Sequence, residues 1–195
     1  MKIKNSKFNA GFTVIEAVVM SVIVAFLAGT ILIRFGGLND SVALSRSARE
    51  LALALRQAQS YALGVAVTGG TVPPLTGVRL STASGEAGKY TIFSDLDGGV
   101  GNLRYNDPPD IMIQTGRFER NVKIKSLFIN GGAANITTMH VLFSSPEAQI
   151  FLTDDVDNNG DETGSIFLLE IELESPSGDT QKVTVRVSGQ ISVVK

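Results

Sequence analysis

Oxygen-bearing side chains crowd one short stretch of this chain: Asp155, Asp157, Asn159 and Asp161 alternate around Gly160 within Asp154–Glu162. Carboxylate and amide oxygens at every second position can surround a hard cation, and a glycine allows the sharp turn such a loop needs. Those four residues are therefore a candidate calcium site. The stretch departs from an EF-hand, because Ile166 stands where the closing glutamate belongs. The competing reading is a solvated acidic turn between two strands. Asp95-Leu96-Asp97-Gly98-Gly99 has two carboxylates and reads as a strand end followed by a turn.

Catalytic chemistry finds little support. His140, the single histidine, sits between Met139 and Val141 in an alternating run, the setting of a structural or surface group rather than a base. The chain has no G-x-S-x-G, H-E-x-x-H or Walker-type segment. It has no cysteine, which excludes disulfides, thiolate metal sites and cysteine nucleophiles. We read it as a non-enzyme with no cofactor beyond the candidate calcium.

The remaining residue with chemical promise is Glu16. From Phe12 to Ile33 the chain reads FTVIEAVVMSVIVAFLAGTILI, with Glu16 its one charge. About 20 apolar residues suffice to span a bilayer. Inside a span a carboxylate costs roughly 3 kcal/mol and calls for a partner or a route to the interface. Lys2, Lys4 and Lys7 precede the run, which orients it with the N-terminus in the cytoplasm and the bulk of the chain outside. A secretory signal peptide fits poorly, because the run is too long and lacks a small-residue cleavage pattern at the right spacing.

The elements that position these residues follow from pattern. Leu44, Leu51, Leu55, Ala58 and Ala62 recur at helical spacing, with Arg46, Arg49, Glu50, Arg56 and Gln57 largely off that stripe, so residues 35–64 form an amphipathic helix whose apolar side should lie on a sheet. Gly36-Gly37 either bends the helix or breaks it, in which case Asp40 or Ser41 caps the restart; Gly64 stops it. From residue 65 onward short alternating runs bounded by turn residues predict strands near 78–80, 90–93, 111–114, 122–127, 139–143, 149–152, 165–172, 181–187 and 191–194. The runs flanking Glu174–Asp179 form a hairpin. The fold class is α+β, a long N-terminal helix packed on an antiparallel β domain. Once the leader lysines are set aside, the remainder is acidic, which makes nucleic acid an unlikely partner.

Ala10-Gly11-Phe12-Thr13-Val14-Ile15-Glu16-Ala17 resembles the cleavage and methylation motif of type IV prepilins and type II secretion pseudopilins. It has the short basic leader ending in glycine, phenylalanine first after the cut, glutamate fifth, and an unbroken apolar helix beyond. The resemblance implies a leader, residues 1–11, removed between Gly11 and Phe12 by a prepilin peptidase that also N-methylates Phe12. It implies a membrane helix at 12–34, a helical second half at 35–64 and a pilin-like domain at 65–195. The partners implied are other pilin subunits and an inner-membrane assembly platform, with the domain on the periplasmic or outer side. An α-amine created at Phe12 is cationic at neutral pH, and Glu16 of a neighbouring subunit would be its counter-charge in low dielectric.

The order of later features, Tyr90–Asp95, Val141–Pro146 and a closing Val185–Val193, is similar to the GspH/FimT branch of minor subunits. In that branch a long helix packs on two small antiparallel sheets. Some members take up DNA, but Ser188–Lys195 lacks the arginines they carry near the matching glycine, so that role is the alternative. An unprocessed single-span receptor is a second alternative.

Overall fold

The apolar run and the amphipathic stretch after it are one element, α1 (Val14–Leu63). A computed structural model describes residues 12–65, 67–68, 70–96, 102–106, 108–132, 136–154 and 166–194. Within α1, side chains are described for 14–31 and 39–63. Of the two readings of Gly36-Gly37, the break with a restart does not occur and the helix runs on through both glycines. Each glycine costs a helix only about 1 kcal/mol, less than opening a new helix end would. Asp40 caps nothing and instead accepts from Arg120 Nε at 3.0 Å. The helix closes with Gly64 N–H donating to Ser60 O at 2.8 Å, and Val65 then turns the chain at φ 49°.

The chain divides into two compact units, Met1–Asn39 and Asp40–Lys195. Among the described residues of the first, the window Val14–Ile31 has a mean hydropathy of 2.4 and is unburied. It is the one described helix stretch long and apolar enough to cross a membrane.

Among the described residues of the second unit nine strands follow the helix: β1 (Leu75–Ser81), β2 (Lys89–Asp95), β3 (Ile111–Arg117), β4 (Lys123–Ile129), β5 (Thr138–Ser144), β6 (Ile150–Asp154), β7 (Leu168–Glu174), β8 (Thr180–Arg186) and β9 (Ile191–Val194). Every predicted strand has a counterpart, with ends moved by a few residues. All pairings are antiparallel and make two sheets, one in the order β3-β2-β1-β5-β6 and the other β4-β7-β8-β9.

Alternation explains the packing. On β7 Leu169, Ile171 and Leu173 are buried while Glu170, Glu172 and Glu174 stay half-exposed, the period-two pattern of a sheet with one dry face. Against the dry faces lies the predicted helix stripe, with Leu44, Leu51, Leu55, Ala58 and Ala62 all buried. They share one core with Val78, Ile92, Val141, Leu152, Leu169, Ile171, Val183 and Val185, so α1 and both sheets close on a single apolar interior. The predicted β7–β8 hairpin is present, turned by Ser175–Asp179, where Ser175 N–H donates to Asp179 O at 2.9 Å.

Candidate functional site

The N-terminal site is built by a helix cap that pattern reading missed. Glu16 N–H donates to Thr13 Oγ1 at 3.3 Å, and Ala17 N–H to Thr13 O at 3.1 Å. Thr13 is thus the cap of α1, and Thr13-Val14-Ile15-Glu16 is a T-x-x-E capping signature readable in the sequence itself. The motif positions the glutamate in the first helical turn, where the helix dipole favours a negative charge. Phe12, just outside the cap, is 74% exposed, and so are the apolar side chains that follow. Chemically the arrangement offers one carboxylate close to the chain position where a cut after Gly11 would create an ammonium. Gly11 itself lies outside the described residues.

The candidate calcium residues Asp155, Asp157, Asn159 and Asp161 also lie outside the described residues. Asp154, which precedes them, closes β6 opposite Met139 of β5. Among the described residues no three His, Asp or Glu side chains converge as a metal site.

The second acidic turn has a structural task that its sequence did not disclose. Asp95 is fully buried at the end of β2 and accepts from Leu103 N–H at 3.0 Å. Asp110, 5% exposed, accepts from Leu96 N–H at 3.0 Å and Asn106 N–H at 2.7 Å. Thr153 Oγ1 donates to Leu103 O at 2.6 Å. Two buried carboxylates thereby hold residues 102–106 over the outer face of the first sheet, where Leu103 and Tyr105 cover Leu75, Phe93 and Leu142. Asp97 lies outside the described residues. No sequence motif marks Asp110, because one of its partners, Leu96 N–H, lies fourteen residues away across the connection.

His140 is a core residue, 1% exposed on β5, opposite Arg79 and Thr153, with its ring edge-on to Phe93 at 5.9 Å between centroids. Helix and sheet are locked elsewhere by Tyr90, whose hydroxyl donates to Glu50 at 2.9 Å and whose ring packs on Phe118 at 5.7 Å. Burial, and then the neighbouring Glu50 carboxylate, push the Tyr90 phenol above its ordinary value of 10.0.

Family models, curated proteins and solved structures were each compared with the chain, and none matches.

Proposed function

We propose that this chain is a non-catalytic fibre subunit, a minor pilin or pseudopilin of the GspH/FimT kind, assembled through its N-terminal helix. In this reading a prepilin peptidase removes residues 1–11 and methylates Phe12. The segment 12–34 holds the subunit in a bacterial inner membrane with the β domain on the far side. An assembly platform then moves it into a short fibre beside other subunits. Glu16 serves as the register charge, meeting the Phe12 ammonium of a neighbour.

One observation carries the reading. A single helix, α1, combines a bare apolar stretch bearing one carboxylate in its first turn with a second half whose leucines and alanines complete the core of a two-sheet domain. A plain membrane anchor needs no amphipathic continuation, and a soluble α+β domain needs no exposed apolar stretch ahead of it.

The mass of the N-terminal peptide of membrane-extracted protein tests this directly. N-methylated Phe12 as the first residue is expected; mature protein that retains Met1 overturns the assignment.

A further inference from the structure

The side of α1 turned away from the core has an order of its own. From Val42, alternating steps of four and three residues reach Arg46, Arg49, Leu53, Arg56, Ser60 and Leu63, and every one of these side chains is exposed. Such steps average 3.5 residues, the repeat by which one helix keeps a single seam toward another over several turns. At 1.5 Å per residue the seam runs about 32 Å along the helix. Its apolar members, Val42, Leu53 and Leu63, are each at least half exposed, although the outer face of a helix without a partner calls for polar side chains at that spacing.

Between these apolar positions the seam holds three cations and no acid. Arg49 forms no ion pair among the described residues. Arg56 Nη2 donates to Ile191 O at 3.2 Å, a bond to a carbonyl that leaves its charge uncompensated. Arg46 reaches Glu119 only at 3.7 Å, with the two side chains 67% and 47% exposed, which makes a long, solvent-screened pair of little strength. The two acids on this half of the helix are engaged elsewhere: Asp40 accepts from Arg120 and Glu50 from Tyr90.

Charge decides what can lie along this seam. A second copy laid on the same positions brings arginine to arginine, leucine or serine and never to a carboxylate, so like charge opposes self-association. A nucleic acid would gain from the arginines and nothing from the apolar side chains between them. A helix with apolar side chains and Asp or Glu at matching steps satisfies both. We propose that the Val42–Leu63 seam of α1 docks an acid-bearing helix of an unlike fibre subunit, so that this chain assembles beside other subunits and not beside itself. The proposal rests on the fibre reading above and adds the chemistry of the neighbour.

The chain has no cysteine, so one introduced at Leu53 gives a single point of cross-linking. A charge-reversed copy, Arg49→Glu with Arg56→Glu, serves as the acid-bearing helix. Full-length parent and reversed copies, both carrying Leu53→Cys and told apart by a mass tag, are mixed in equal amounts in bilayers and joined with a short bismaleimide. Mixed dimers are expected to outnumber parent–parent dimers roughly tenfold. A mixed yield no greater than random pairing gives overturns the proposal. If the double substitution lowers the melting temperature, Arg49→Glu alone, whose side chain has no described ion partner, repeats the comparison with the same expectation. Retardation of duplex DNA by the parent that the reversed copy loses would assign the seam to phosphate and overturn the proposal as well. In cells the reversed chain should enter fibres roughly tenfold less than the parent, and equal entry counts against the contact. Methylation of Phe12 does not depend on the seam, so its presence or absence in the same cells tests the fibre reading separately.

Discussion

Tyr90 on β2 and Glu50 on α1 are forty residues apart and joined by a 2.9 Å hydrogen bond at the helix–sheet boundary. The space for that phenol is made by Gly116 on β3, where a Cβ would fall 2.1–2.5 Å from the Tyr90 ring and hydroxyl. Tyr90→Phe should cost about 1–2 kcal/mol, because the Glu50 carboxylate loses its donor. Gly116→Ala should cost about 1–3 kcal/mol by displacing the ring. Urea unfolding of the purified protein measures both.

The same pair sets a pH dependence. The folded phenol holds its proton to higher pH than the unfolded one, so its contribution is complete below pH 10.0 and declines as pH rises beyond it. The melting temperature of the parent should therefore fall more steeply above about pH 10 than that of Tyr90→Phe. Equal slopes for the two proteins would contradict the assignment.

Asp110 should be more sensitive than its position in a connecting segment suggests. Asp110→Asn removes a charged acceptor from two part-buried amides and should destabilise by about 1–3 kcal/mol. Hydrogen exchange at Leu96 and Asn106 should accelerate in that variant while the amides of β7 stay protected.

Val65 adopts φ 49°, a backbone region that branched L-residues occupy at a cost. Val65→Gly should raise stability by roughly 1 kcal/mol, as relief of that strain exceeds the added freedom of the unfolded chain. A lower denaturation midpoint would rule this out.

At the other end of α1, Glu16→Gln should leave the melting of the β domain unchanged within about 0.5 kcal/mol, since Glu16 is an exposed residue of the other compact unit. Fibre assembly should be lost, measured by electron microscopy and by fractionation of sheared cells. Normal fibres from that variant would exclude the register role.

Local pattern made the helix stripe and all nine strands legible, because burial on one face imprints a period of 3.6 or 2 on side chains such as Leu51 and Leu55 or Leu169 and Ile171. What pattern could not carry was non-local. Nothing in Lys123–Ile129 announces that β4 pairs with β7, across an interval that contains β5 and β6 of the other sheet. The tasks of Asp95 and Asp110 were hidden for the same reason: a carboxylate bonded to distant backbone amides leaves no spacing to read. The Thr13 cap is legible as T-x-x-E, a local spacing that overlaps the start of the apolar run.

The helix that fills the core is also the element that carries the apolar stretch, and this has a mechanical consequence. A pull applied along α1 from its N-terminal end would not peel the domain open one contact at a time. Nine buried side chains from Ala43 to Ala62 would bear the load together, in shear, against both sheets. The β domain would stay attached to the pulled helix beyond forces that unzip a hairpin, because failure requires all nine to slide at once.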